Sequence, residues 1–283
     1  MKRRANFKWV YYSPEFEYEN RFLDLGRPWS GHKYFIYDLI RNTKPETIVE
    51  LGTERGVSFF SMCKAVKDGD LNKKLYAIDT WVGDKHSGFY GENIYKNFLK
   101  YKNQYFSKLN ITTLRILFDK AVSKFKDSSI DILHIDGLHT YKAVTHDYET
   151  WISKLKPDGI VLFHDITERG RGFGIYKLWK FLRENNNTIE FLHSHGLGVL
   201  IKNPKLFSEI KGLEEVWQKY YSTLYEYNLS KKLHYDSEEI KKKDEEIKRL
   251  RYEVKEYKKI LDNITSAKFF KLWQSYCKIR DSV

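Results

Sequence analysis

Between about residues 31 and 202 short apolar runs alternate with segments of helical periodicity, which is the signature of βαβ units feeding a parallel sheet. Seven runs read as strands: "TIVELG" (47–52), "LYAIDT" (75–80), "TTLRIL" (112–117), "IDILHID" (130–136), "GIVLFHD" (159–165), "IEFLHS" (189–194) and "LGVLIK" (197–202). The clearest helix is expected over 141–155, where Val144, Tyr148, Trp151, Ile152 and Leu155 repeat at spacings of three and four. "KPDG" then reads as the stop of that helix. No helix fits between the last two runs, so they are expected to form an antiparallel hairpin that closes one edge of the sheet.

After residue 205 the period changes. Leu229, Leu233, Ile240, Ile247, Leu250, Val254, Tyr257, Leu261 and Ile264 share one a/d heptad phase, with breaks at Asp236 and Lys243. Two structures follow from such a stripe: a coiled coil over about 229–264, or a long helix folded back on the main domain. The last segment, about 266–280, places Phe269, Leu272, Trp273 and Tyr276 on one helical face among Lys268, Lys271, Lys278 and Arg280. A face of this kind suits either an anionic membrane surface or packing onto protein. The expected organisation is therefore a domain over 1–205 and a helical tail over 206–283. The tail offers routes to homo-oligomers, to a partner protein or to the membrane surface.

Composition narrows the class. The two cysteines, Cys63 and Cys277, are too few for a disulfide framework or a thiolate zinc site. No apolar run has the roughly 18–20 residues of a membrane span. The basic start "MKRRANFKWVYY" lacks the apolar stretch of a signal peptide, so a reduced, cytoplasmic protein is expected, either free or peripheral to the inner membrane face. The net charge of +12 is spread out, with 15 Lys and Arg against 10 Asp and Glu in 231–283 and 35 against 28 before it. That charge admits a nucleic-acid partner, but no zinc-finger spacing and no aromatic RNA-binding signature accompanies it.

Chemistry concentrates at the C-terminal ends of the strands, where open α/β sheets bind ligands. In "VELGTERGVSFF", Glu50 ends the first strand, Gly52 and Gly56 permit a tight turn, and Ser58 opens a helix whose N–H groups favour negative charge. Asp79 ends the second strand, a position from which a carboxylate accepts hydrogen bonds from ribose. Asp136 and Asp165 end the fourth and fifth strands and converge if those strands are neighbours. Together with His164 they suit a hard divalent cation. His139 lies three residues past Asp136, and an imidazole there suits removal of a proton from a substrate hydroxyl. The plain structural alternative is that Asp136 caps the turn and His139 caps the next helix.

Taken together, "VELGTERGVSFF", "AIDTWVGD", "ILHIDGLHTYKAVTHDYETWISKLKPDGIVLFHD" and "HSHGLGVLI" resemble the class I S-adenosylmethionine-dependent methyltransferases. The nearest branch includes macrolide, rhamnosyl and other sugar O-methyltransferases and cephalosporin hydroxylase-like proteins. The resemblance implies an α/β, Rossmann-like sheet of seven strands in the order 3-2-1-4-5-7-6, with the last strand antiparallel. It implies S-adenosyl-L-methionine as cofactor, held by Glu50, Gly52, Thr53, Gly56, Ser58, Asp79 and Trp81. It implies Mg²⁺ at Asp136 and Asp165, and His139 with Asp136 as the catalytic pair. Metal-dependent relatives often carry two consecutive acids at the end of strand five, where this chain has His164 before Asp165. The implied acceptor is a small molecule or glycan hydroxyl, with a role in polysaccharide synthesis, and residues 83–106 are placed to wall its site. A nucleic-acid methyltransferase and an inactive scaffold presenting the tail are the competing readings.

Overall fold

In a computed structural model the described residues are 8–19, 27–232 and 237–266. After a short 3-10 turn, Pro28–His32, the chain forms α1 (Lys33–Thr43), β1 (Thr47–Leu51), α2 (Val57–Asp68), β2 (Lys74–Asp79), α3 (Asn93–Phe106) and β3 (Asn110–Arg115). It continues through β4 (Ile130–Ile135), α4 (Tyr141–Trp151), β5 (Leu155–His164), α5 (Ile175–Asn185), β6 (Thr188–Phe191) and β7 (Leu197–Ile201). The helices α6 (Pro204–Ile210), α7 (Glu214–Lys232) and α8 (Ser237–Ser266) follow. Gly83–Asp84 and Gly88–Phe89 pair as a small antiparallel hairpin between β2 and α3.

The seven strands lie in the order β3-β2-β1-β4-β5-β7-β6, parallel except at the β7 ladders to β5 and β6. This is the expected order, with the expected terminal hairpin. The chain runs outward from β1 to β3, returns to β4 beside β1, and then runs outward the other way. Right-handed crossovers put helices on both faces of such a sheet and open a crevice where the direction reverses, between β1 and β4. Strands covered on both faces bury consecutive residues: Ile48, Val49, Glu50 and Leu51 are all solvent-free in β1.

Two boundaries differ from the sequence reading. The helix over 141–155 ends at Trp151, and "KPDG" falls inside β5, whose pairing with β4 shifts register between Ile130 and Ile132. The extra residues are taken up by this irregularity in the ladder, so Pro157 and Gly159 punctuate a strand and not a helix.

The chain divides into two compact units, Met1–Tyr225 and Glu226–Val283. The boundary expected at 205 falls inside the first, because the start of α7 joins an aromatic core with the N-terminal segment. Trp217 and Tyr221 pack on Phe35, Trp9 packs on Trp217 at 4.4 Å, and the Tyr221 hydroxyl donates to buried Asp38 at 2.7 Å. In the second unit, Ile247, Leu250 and Val254 of the heptad stripe are buried, while Tyr257 and Leu261 are half exposed. Lys243 pairs with Glu226 at 2.8 Å. Among the described residues no helix is long and apolar enough to cross a membrane. Leu233, the break at Asp236 and the basic face from Lys268 to Arg280 lie outside the described residues.

Candidate active site

A cavity of about 540 Å³ opens at the C-terminal ends of β1, β2, β4 and β5. One half is built from backbone. Gly52 sits at φ +91°, and a Cβ there would lie 2.0 Å from the Asp136 carbonyl oxygen, so only glycine lets the β1 turn run against the end of β4. The next residues cross to the β2 turn: the Glu54 N–H donates to Asp79 Oδ2 at 2.8 Å and the Trp81 N–H to Asp79 Oδ1 at 2.6 Å. Burial pushes the Asp79 carboxyl up, against these backbone donors. Each carboxylate oxygen keeps a second lone pair for a ligand hydroxyl. Thr53 Oγ1 is buried without a partner beside this face.

Of the residues expected to hold a cofactor, Gly52, Thr53, Ser58 and Asp79 line the cavity, while Glu50, Gly56 and Trp81 stand behind its wall. Gly56, at φ +90°, starts α2 where a Cβ would meet the Phe60 ring at 2.7 Å, so its role is turn and packing. Trp81 is 1% exposed and donates its indole N–H to the Glu54 carbonyl at 2.7 Å, bracing the two turns together. Glu50 is fully buried against His134, with 2.9 Å between Glu50 Oε1 and His134 Nδ1. It is a strand-interior acid whose side chain is turned away from the cavity.

The other half is built from titratable side chains. Asp136, His139 and Asp165 offer ligand atoms within 4.8 Å of one another. His139 Nε2 lies 3.1 Å from Asp165 Oδ2 and 3.4 Å from Asp136 Oδ1. Its ring lies parallel to Phe173 at 5.1 Å and to His86 at 6.3 Å. The N-cap of α4 is Thr140, whose hydroxyl accepts from the Ala143 N–H at 3.3 Å, so neither His139 nor Asp136 is spent as a helix cap.

His164, expected as an extra metal ligand, stands beside both carboxylates. Its Nδ1 faces Asp165 Oδ1 at 3.3 Å and Asp136 Oδ1 at 3.5 Å, and its Nε2 faces the Ser194 carbonyl at 3.3 Å. The Ser194 carbonyl accepts from Nε2–H, which leaves Nδ1 facing the two carboxylates, where it pairs with them when protonated and has a lone pair for a cation when not. Burial opposes the charge, but Asp165 and Asp136 outweigh it and lift the imidazole to about 10. Both carboxyls in turn stay below the usual carboxylate range: burial opposes their ionisation and the His164 charge outweighs it. Asp136 and Asp165 converge as a carboxylate pair that fits a hard divalent cation, with His139 close enough either to join them or to stand free as a base.

Several lining residues carry no sequence signal of their own. Arg27 grips the Glu54 carboxylate through Nη1 at 3.1 and 3.0 Å, His195 Nδ1 reaches Asp165 Oδ1 at 3.2 Å, and Trp29, Arg171 and Phe173 complete the wall. His86 comes from the hairpin after β2, within the stretch expected to wall the acceptor. Both its ring nitrogens are buried without a partner.

Comparison with known proteins adds the domain type. Residues 49–166 match the family model described as "Methyltransferase domain". An uncharacterized protein of Sinorhizobium fredii is 44% identical over 181 residues, 63% of this chain and 20% of that one. An uncharacterized protein of Acanthamoeba polyphaga mimivirus is 28% identical over 163 residues, 55% of this chain and 67% of that one. The chain thus spans about a fifth of the first relative and two thirds of the second. Among solved structures, the O-methyltransferase TomG from Streptomyces achromogenes, in complex with SAM, is similar at 11% identity and a TM-score of 0.45, over 65% of this chain and 90% of that one.

Proposed function

We propose, from the premise that this chain carries a class I S-adenosylmethionine-dependent methyltransferase domain, that it methylates a hydroxyl of a sugar, glycan or related small molecule. The observation that carries the reading is the meeting of Asp136, His139 and Asp165 in the same cavity as Gly52, Thr53 and Asp79. Bound S-adenosylmethionine supplies an already activated methyl group, so the protein's tasks are positioning and proton removal. Asp79 holds the ribose, and Gly52, Thr53 and Ser58 shape the end nearer the transferred group.

His139 is the base. Asp165 and Asp136 hold its Nε2–H, which leaves Nδ1 with the lone pair that takes the acceptor's proton. Phe173 fixes the plane of the ring. A divalent cation on Asp136 and Asp165, when bound, would make the acceptor hydroxyl more acidic. His86 and Arg171 form the outer wall on the acceptor side, next to Phe173. The exposed end of the stripe on α8, at Tyr257 and Leu261, recruits a second copy or a partner helix.

Two measurements test this reading. Methyl label from S-adenosylmethionine is expected on oxygen when the protein is given a panel of glycosides and nucleotide sugars; label on nitrogen of a nucleic-acid substrate would replace it. Mn²⁺, followed by its paramagnetic resonance, is expected to bind the wild type and not Asp136→Asn. A wild type that binds no Mn²⁺ leaves His139 oriented by the carboxylates alone.

A further inference from the structure

Glu50, His134 and Trp29 form a chain of contacts that the chemistry above leaves unused. His134, in β4, is fully buried, with Nδ1 on Glu50 Oε1 at 2.9 Å. The Trp29 indole N–H points at His134 Nε2, 3.2 Å away. An indole nitrogen only donates, so His134 Nε2 must be the bare nitrogen and the ring proton must sit on Nδ1, toward Glu50. The tautomer is thereby fixed, and with it the indole. Glu50 Oε2 is buried with no partner, an arrangement that costs stability and that a leucine at 50 would avoid.

What this arrangement secures is the position of Trp29. The imidazoles of His134, His32 and His164 surround the indole at 5.5, 6.2 and 6.3 Å, and Trp29 is 5% exposed and lines the cavity. Trp29 lines the same cavity as Gly52 and Thr53 of the cofactor half and Asp136 and His164 of the charged half. A methyl group passing from cofactor to acceptor does so within this cavity. The group that carries it is a cationic sulfonium, and a tryptophan face is the best aromatic partner for a desolvated cation.

We propose that Trp29 recognises the sulfonium of S-adenosylmethionine, and that His134 and Glu50 are positioning residues that hold its indole for that purpose. This rests on the methyltransferase reading. It predicts a preference that depends on charge: S-adenosylhomocysteine lacks both the methyl and the positive charge, so removing the indole should weaken the methylated ligand selectively.

The test is calorimetric titration of both ligands into wild type, Trp29→Leu, Trp29→Phe, His134→Leu and His134→Gln. Trp29→Leu is expected to shift the affinity ratio toward S-adenosylhomocysteine by roughly 3- to 30-fold, with Trp29→Phe between it and wild type. His134→Leu should shift the ratio the same way, and His134→Gln, which keeps a donor and an acceptor, should restore it. A ratio unmoved in Trp29→Phe and in His134→Leu, with both ligands still bound, overturns the inference and leaves the methyltransferase reading standing. A wild type that binds neither ligand overturns both.

Discussion

The two halves of the cavity are made of different materials. The half over β1 and β2 is backbone geometry: Gly52 at positive φ, and a carboxylate, Asp79, whose oxygens are already held by the N–H groups of Glu54 and Trp81. The half over β4 and β5 is side-chain charge: Asp136, Asp165, His139, His164 and His195 within hydrogen-bonding reach of one another. The first has a shape that one kind of ligand fits. The second holds a charge balance that can move a proton. Changes in the second half should therefore alter rate, and changes in the first should alter affinity or folding.

The largest expected effect breaks the charged half. His139→Ala should lower methyl transfer by about 10²–10⁴, as read by label transfer, with melting temperature little changed, since Thr140 supplies the helix cap. A destabilised but fully active variant would remove His139 from catalysis. Next, Gly52→Ala strikes the backbone half. A Cβ 2.0 Å from the Asp136 carbonyl at φ +91° should cost about 2–4 kcal/mol of stability in chemical denaturation. Unchanged stability would mean that the two strand ends separate easily. The smallest effect lies away from the cavity and sharpens the contrast, because Asp38 is a buried carboxyl without chemistry. Burial pushes its carboxyl up to about 8 despite the Tyr221 and Tyr12 donors. A raised folded pKa means that the stabilising contribution is complete below the unfolded value near 4 and lost as pH rises through 8. Asp38→Asn should therefore come nearest to wild type below pH 4 and gain on it steadily up to about pH 8 in thermal melts. Parallel pH profiles for the two would contradict that burial.

Legibility in the sequence divides along the same line. The strands were readable because each buried parallel strand is an apolar run, their order came only with the family resemblance, and the strand-end acids Asp79, Asp136 and Asp165 were readable because ligand sites fall at those ends. The Glu50 side chain was not, since a strand-end acid reads the same whether it faces a ligand or, as here, a histidine in the neighbouring strand. His164 was readable as a candidate ligand by its neighbour Asp165, but the acceptor that orients its far nitrogen, the Ser194 carbonyl 30 residues on, was not. Trp29, Arg27 and Phe173 reach the cavity through loops, and their contacts span from 27 to more than 100 residues, beyond any local period. The end of the first unit at Tyr225 was equally hidden, because the aromatic partners of α7 lie near the N-terminus.

The most direct test of the division is the affinity of S-adenosylmethionine for three proteins, wild type, Asp79→Ala and His139→Ala, each shown to be folded by circular dichroism. Calorimetry should find binding to wild type, an affinity within about twofold of it for His139→Ala, and a loss of about 1–3 kcal/mol for Asp79→Ala. Unchanged affinity in folded Asp79→Ala, or an equal loss in His139→Ala, would contradict the separation of a cofactor half from an acceptor half.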